Sequence, residues 1–426
     1  MNILILGNGG REHAIAWKIS KSHHCNQLFI APGNAGTQEF GINVNLGITD
    51  FEAIKTFCID NKIDVLVVGP EEPLVKGIYD FMEVAKDVWK GFVVGPSAAA
   101  AQLEGSKAFS KKFMQRHNIP TAGYAEFTKD NFEAGKEYIA NHALPIVLKA
   151  DGLAAGKGVV ISETHADALE VFENMIINQQ FGDASSKVVI EEFLEGIEVS
   201  VFALTNGIDY QIIGHAKDYK RIGEGDTGLN TGGMGCVTPV PFMDDLFMQQ
   251  VEETIILPTI KGLHQEGLVY NGFVFFGLMN CDGTAKVIEY NCRMGDPETE
   301  VVLARLDTDL LSLFAAMDNG TLEDANINFD DQYFATVMAV SGGYPGDYEK
   351  GKLISFSHET LDKSTMVFHA GTKQTEEGVV TNGGRVLTVT SSGTSIKEAV
   401  EKSKTVLEQI SFEGMNYRKD IGYEFE

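Results

Sequence analysis

Apolar and polar positions follow two rhythms along this chain. Over roughly the first hundred residues, short apolar runs at 3–6, 28–31, 65–69 and 92–95 alternate with helically spaced stretches at 11–20, 51–60 and 73–85. Such alternation predicts a parallel sheet with helices on both faces. A helix is expected over 106–117, followed past Pro120 by a strand–helix–strand pattern ending at 145–149. Residues 188–198 read as two strands joined by a bend, and 272–279 and 284–291 as a hairpin turned by Asn280-Cys-Asp-Gly283. Helices at about 244–266 and 307–318 flank that hairpin. Beyond about 330 the pattern is mostly β, with strands at 333–340, 353–356, 366–369 and 384–390 and a helix at 395–409. The fold class expected is α/β and α+β multidomain: an N-terminal parallel α/β sheet domain at 1–104, a core at 105–329 and a β-rich C-terminal domain at 330–426.

Composition narrows the function classes. A chain of 426 residues suggests two to four domains. No run approaches 18 apolar residues, so no membrane partner is expected. Met1 leads straight into a strand with no basic flank, which argues against a signal peptide. Five cysteines, never spaced C-x-x-C, point to reduced thiols in the cytoplasm and away from zinc. Cys292 is read as packing, not as a nucleophile. A net charge of −26 disfavours nucleic acid as a partner, yet leaves room for a small phosphate ligand where a few cations converge.

Chemistry is concentrated at a few places. Residues two apart on a strand share a side, so Glu289, Asn291 and Arg293 should project together. Two oxygen ligands beside a guanidinium suit a Mg²⁺ that completes its shell with water and phosphate; a polar strand face with an ordinary salt bridge is the alternative. Gly7-Asn-Gly-Gly10 fits a dinucleotide loop poorly, because Glu12 stands where a third glycine belongs and the second strand runs into Ala31-Pro-Gly without a ribose-binding acid. Between strand and helix it still offers N–H groups to an anion beside Arg11, or else is a tight turn. The segment from Ala150 to Val159 fails as a Walker A loop, since Gly158 replaces the Ser/Thr after Lys157. Two strands around its glycines make either a flap over phosphates or a plain hairpin turn. The bend after Glu191 can recognise a purine edge, with Glu191 and Glu198 for an amine and a ribose diol; an amphipathic strand pair explains it equally well. Six of the thirteen residues at 223–235 are glycine, after Lys217, Asp218 and Lys220, which reads as a substrate loop or as disorder.

In order along the chain, these segments resemble the glycinamide ribonucleotide synthetase family of the ATP-grasp superfamily. The matching blocks include Gly7-Asn-Gly-Gly-Arg-Glu-His13, Leu103-Glu-Gly-Ser-Lys107, Asn230-Thr-Gly-Gly-Met-Gly235, Arg293-Met-Gly-Asp-Pro-Glu298 and Phe412-Glu-Gly-Met-Asn-Tyr-Arg418. Met294, Leu229 and Cys236 depart from the usual residues at apolar flanking positions. The resemblance implies a ligase that joins glycine to 5-phosphoribosylamine through glycyl phosphate, converting ATP to ADP in de novo purine synthesis, with Mg²⁺ or Mn²⁺. It implies an ATP-grasp core with a mobile lid at 123–194. Lys107, Lys149 and the flap residues Gly152, Gly156, Lys157 and Gly158 would contact ATP phosphates, Glu191, Glu192, Phe193 and Leu194 the adenine, and Glu198 the ribose. Glu289 and Asn291 would hold the metal. Arg293, Asp218 and Lys220 would serve catalysis, with Asp218, Arg293 and Glu298 on glycine. Gly9, Gly10, Arg11, Glu12, Pro70 and Glu71 would bind phosphoribosylamine, and the enzyme is expected as a cytoplasmic monomer or weak dimer. The rivals are another carboxylate–amine ligase, a nicotinamide-dependent oxidoreductase and a non-catalytic nucleotide-binding protein.

Overall fold

The computed structural model describes residues 1–153, 158–356 and 362–425. Five parallel strands open the chain: β1 (Asn2–Gly7), β2 (Gln27–Pro32), β3 (Ile42–Asn43), β4 (Val65–Val68) and β5 (Phe92–Pro96), in the order β5-β4-β1-β2-β3. Between them lie α1 (Gly10–Ser20), α2 (Phe51–Asp60), α3 (Glu71–Val75) and α4 (Ile78–Val84). The single helix expected at 73–85 is two, because Gly77 adopts φ +87 and starts the second from a left-handed turn. Both sheet faces are covered, as the alternation of β1 shows: Ile3 and Ile5 join one core cluster, Leu4 and Leu6 the other.

Short α5 (Gln102–Gly105) and α6 (Lys107–Arg116) lead into a smaller body made of β6 (Tyr124–Thr128), α7 (Phe132–Asn141), β7 (Ile146–Ala150), β8 (Val159–Ser162), α8 (His165–Ile176) and β9 (Lys187–Glu192). Its four strands form their own sheet, β6-β9-β7-β8. Phe127, Ile139, Leu148, Phe172 and Ile190 give it a private core. A body with its own core and few shared contacts can move as a unit.

The chain then returns to the main sheet through β10 (Ile197–Thr205), β11 (Tyr210–Asp218), the small hairpin β12 (Arg221–Gly223) and β13 (Thr227–Asn230), and β14 (Gly235–Thr238). Helices α9 (Asp245–Val251) and α10 (Leu257–Gln265) precede the hairpin of β15 (Tyr270–Cys281) and β16 (Thr284–Asn291), and α11 (Glu298–Arg305) and α12 (Leu310–Asp318) follow it. Strand β15 pairs antiparallel with β5, so the parallel half and the second half are one sheet.

The last part contains β17 (Tyr333–Val340), β18 (Thr365–His369), β19 (Thr372–Thr375), β20 (Gly378–Thr381), β21 (Arg385–Gly393) and α13 (Ile396–Leu407). Strand β17 pairs with β14, extending the same sheet to 13 strands. Residues expected as a strand at 353–356 make only isolated bridges, Leu353 to Val380 and Ser355 to Ser411. The architecture is the multidomain α/β and α+β arrangement expected. No helix among the described residues is long and apolar enough to cross a membrane.

Candidate active site

Strand β16 supplies one wall of a cleft. It faces β15 with Glu289 opposite Gly277 and Val287 opposite Leu278, which leaves Ile288 as the extra residue of a bulge. Glu289, Asn291 and Arg293 all line this cleft. Strand alternation accounts for the first two only, because β16 ends at Asn291 and Arg293 stands beyond it. Acids from elsewhere aim the guanidinium: Nη2 lies 2.6 Å from Glu104 Oε1, and Nε faces Glu71 Oε2 at 3.4 Å. Burial works against its charge, but Glu104 and Glu71 outweigh that and raise its pKa. The other Glu104 oxygen accepts from the N–H of Cys292 at 2.8 Å and from its thiol at 3.1 Å. Burial, reinforced by Glu104, pushes the Cys292 thiol far up, so this residue packs and is no nucleophile.

The opposite wall comes from α6 and the smaller sheet. Ser106 caps α6, accepting the Phe109 N–H at 3.1 Å. Asp151, just past β7, accepts from the Ala108 N–H at 2.7 Å and the Ser106 hydroxyl at 3.0 Å, which ties the end of that strand to the first turn of that helix. Lys107 and Lys111, four residues apart, share a helix face and both line the cleft. Lys111 and Lys149 reach the same Glu191 oxygen, at 2.9 and 3.0 Å, and Lys149 also donates to the Ile288 carbonyl at 3.3 Å. Burial, partly offset by Glu191, brings the Lys111 pKa down to about 8, and burial likewise lowers that of Lys107. The second Glu191 oxygen is buried without a hydrogen-bond partner among the described residues. Against a net charge of −26, four cations (Lys107, Lys111, Lys149 and Arg293) thus converge on one cleft.

A second hollow adjoins it, lined by Phe193, Leu194, Glu198, Asp218 and Lys220 among others. A small cavity links the two, sharing Ile288 and Glu289 with the first and Glu198 and Lys220 with the second. The Lys220 ammonium is ion-paired with Glu198 and lies 3.3 Å from Asp218. Beneath it Glu298 is buried, with the Ser200 hydroxyl 3.4 Å away. Burial first, and then the Asp218 carboxylate, raise the Glu298 pKa to about 7, opposed by a backbone N–H, Lys220 and Arg293.

Several expected site residues lie elsewhere. Glu192 lines neither hollow; its carboxylate accepts the Gly123 N–H at 3.0 Å on the smaller body. Gly152 offers its carbonyl to Lys107 at 3.3 Å and Gly158 lines the first cleft, while Gly156 and Lys157 fall outside the described residues.

The open anion loop expected at Gly9, Gly10, Arg11 and Glu12 is already filled by protein carboxylates. Glu12 takes the Gly9 N–H at 2.6 Å and the Arg11 guanidinium at 2.7 Å, and Asp296 takes the Arg11 N–H at 3.2 Å. Glu12 is 2% exposed and packs where side chains at Gly7 and Gly69 would be: a Cβ there would stand 2.5 and 2.1 Å from its atoms. A Cβ on Gly10 would meet Glu300 Oε1 at 2.2 Å, so α1 begins tightly against α11. Of this group only Glu71, which follows Pro70 at the start of α3, reaches the cleft. Glu104 and Lys111 went unnoticed in the sequence. The four-residue spacing from Lys107 was a signal for Lys111; nothing local marks Glu104 as the partner of Arg293.

The donor set can be tested for a metal. The side chains of Glu289 and Asn291 offer two hard oxygens and make no hydrogen bond or ion pair among the described residues. Also among these, no three His, Cys, Asp or Glu side chains cluster as a self-sufficient metal site. Such a pair fits Mg²⁺, which keeps several waters and shares phosphate oxygens, and does not fit zinc.

Comparison with known proteins points one way. Models of the N domain, the ATP-grasp (A) domain and the C domain of phosphoribosylglycinamide synthetase match residues 1–104, 105–299 and 334–424. The chain is 45% identical to a phosphoribosylamine–glycine ligase of Vibrio cholerae over 99% of this chain and 98% of the relative. The crystal structure of a phosphoribosylamine–glycine ligase from Thermotoga maritima is similar at TM-score 0.86 and 34% identity, covering 99% of this chain and 100% of that one. The biotin carboxylase domain of Hydrogenobacter thermophilus 2-oxoglutarate carboxylase, solved with MgADP and bicarbonate, reaches TM-score 0.73 at 16% identity, over 99% of this chain and 92% of that one, a likeness of fold.

Proposed function

The chain belongs to the phosphoribosylglycinamide synthetase family, and from that premise we propose how its own residues carry the reaction. The activity is phosphoribosylamine–glycine ligation, an ATP-dependent carbon–nitrogen bond formation in purine synthesis. A carboxylate is a poor electrophile, so the reaction needs activation. In our reading a glycine carboxylate oxygen attacks the γ-phosphorus of ATP, the bond to the bridging oxygen breaks, and ADP leaves. The ribosyl amine then attacks the acyl carbon of glycyl phosphate, and phosphate departs as the amine loses a proton.

The single observation that carries this is the opposition of Lys107, Lys111 and Lys149 to Glu289, Asn291 and Arg293 across one cleft. Phosphoryl transfer depends on positioning and on neutralising charge, and it asks for no protein nucleophile. Lys107 and Lys149 hold phosphates, with Gly158 at the edge of the flap; Arg293 meets the oxygens of the transferring group. Glu289 and Asn291 would hold Mg²⁺, or Mn²⁺, which supplies Lewis-acid charge neutralisation when bound. The free oxygen of Glu191 suits an exocyclic amine, with Phe193 and Leu194 beside the base and Glu198 at the ribose. Asp218, Lys220 and Glu298 hold glycine, and Arg293 acts on it from the nucleotide cleft.

Phosphoribosylamine approaches from the side of Glu71 and Pro70. The filled loop at Gly9–Glu12 serves it by shaping that edge. ADP release measured with glycine and phosphoribosylamine, each omitted in turn, tests the reading: both should be required for sustained turnover. Turnover with a different acid, and none with this pair, would reject it.

A further inference from the structure

The glycine-rich loop after Lys220 closes on itself through the β12–β13 hairpin, with Arg221 donating to the Gly228 carbonyl at 2.8 Å and the Thr231 N–H to the Lys220 carbonyl at 2.7 Å, but its tip packs on little. Thr227–Asn230 is exposed throughout, and Gly225 and Gly228 sit at φ +64 and +79. The end of the chain holds it in place. Arg418 is only 1% exposed, and its guanidinium forks between Asp226 Oδ1 at 2.6 Å and both oxygens of Asp420 at 2.8 Å. Asp420 also accepts the Gly225 N–H at 2.7 Å, and the Tyr423 hydroxyl donates to Asp226 at 3.0 Å. One residue further on, Glu424 takes Lys217 with one oxygen and the Tyr219 hydroxyl with the other, each at 2.7 Å. Lys217 and Tyr219 bracket Asp218, so the tail grips one side of the chain while Asp218 meets Lys220 on the other. Tyr423 and Glu424 line the same hollow as Asp218, Lys220 and Glu198.

The far half of the loop is mounted on the same part of the chain. The Gly232 N–H donates to the Tyr344 hydroxyl at 3.0 Å, and the Gly232 carbonyl accepts from Arg385 at 2.5 Å. A planar fork between two carboxylates fixes direction as well as distance, which an ammonium cannot reproduce.

We propose that Arg418 is a positioning residue for the glycine side of the reaction: through Asp226 and Asp420 it seats the loop and keeps Asp218 and Lys220 in register with the substrate. The inference rests on the ligase reading above and adds a role for the C-terminal tail, in which Arg418 acts through Asp226 and Asp420.

The test uses the full-length enzyme with Arg418→Lys, Asp226→Asn and both together, measuring ADP release while glycine, ATP and phosphoribosylamine are varied singly. Asp226 is 40% exposed at its side chain, so Asp226→Asn should fold even where a change at Arg418 does not. We expect each single change to raise the KM for glycine about tenfold or more, with the KM for ATP within about threefold of wild type. The double variant should be little worse than the poorer single, because both changes break one link. Unchanged glycine kinetics in a folded Asp226→Asn enzyme would overturn the proposal, as would a lower melting temperature with no change in KM. Wild-type enzyme that releases no ADP with this substrate pair would instead remove the ligase reading, and the inference with it.

Discussion

Arg293 Nη2 lies 2.6 Å from Glu104 Oε1, joining residues 189 positions apart. That pair, more than the strand before it, sets where the guanidinium points. Removing Glu104 leaves the Arg293 guanidinium only the Glu71 carboxylate, at 3.4 Å, which costs about 1–3 kcal/mol. Glu104→Ala should therefore lower unfolding free energy by that order in a denaturant titration. Glu104→Gln, which keeps an acceptor, should fold better and still turn over about 10²-fold more slowly, since small displacements of a positioning group are costly. Wild-type kcat in a folded Glu104→Gln enzyme would separate the Arg293 geometry from catalysis.

Glu289→Gln removes a charge from the proposed metal pair and keeps its shape. Turnover should fall by about 10²–10³-fold, the usual order for losing a charge that stabilises a transition state. Nucleotide affinity, read by calorimetry, should weaken far less, because the contacts proposed for Lys107, Lys149 and the base are untouched. A chelator should silence the wild-type enzyme and added Mg²⁺ restore it. A non-catalytic nucleotide-binding protein would keep its behaviour through all three changes.

Glu298 makes a pH signature. Its carboxyl, raised to about 7 from an ordinary 4.5 by burial and by Asp218, binds a proton over that window when the unfolded chain does not. Folding stability from this group therefore falls as pH rises from about 4.5 to 7. The ionised form would hold the glycine ammonium, so kcat/KM for glycine should climb through about pH 7. Facing Glu298 are Asp218, Lys220, Arg293, Cys236 and Glu300; burial pushes up both the Cys236 thiol and the Glu300 carboxyl, so Glu300→Gln is the control for the profile. Glu298→Gln should flatten the acid limb of the glycine profile; an unchanged limb would assign it to another group.

His13 joins the first helix to the C-terminal part: its Nδ1 accepts the His369 N–H at 2.7 Å. Burial first, and then the charge of His369, lower its pKa from 6.5 to about 3. Between those values the unfolded chain binds a proton that the folded chain does not, so stability is lost as pH falls from about 6.5 toward 3. His13→Asn, which offers an amide oxygen without a titration, should be less stable at neutral pH but lose less on acidification. Parallel pH–stability curves for the two proteins would contradict this.

What the sequence made legible was what neighbours in the chain decide. The alternation of strand and helix, the β15–β16 hairpin and the spacing of Glu289 and Asn291 are local, and the fold follows them. The cleft is less local. Arg293 belongs to it because of Glu104 and Glu71, and the glycine loop is seated by Arg418, 192 residues from Asp226. The glycines at 7, 9 and 10 invited an anion, yet Glu12 fills the loop from within, a packing fact that spacing cannot express. Residues 353–356 have strand composition but only isolated bridges to hold them.

If the glycine carboxylate itself attacks the terminal phosphorus between the lysines and Arg293, an oxygen passes from glycine to phosphate. Glycine labelled with ¹⁸O in both carboxylate oxygens, turned over with ATP and phosphoribosylamine, tests it directly by mass spectrometry of the released phosphate. One ¹⁸O should appear in each phosphate and the other in the amide product. Phosphate free of label would show that oxygen never passes from glycine to phosphorus, and the assignment of the cleft would fall.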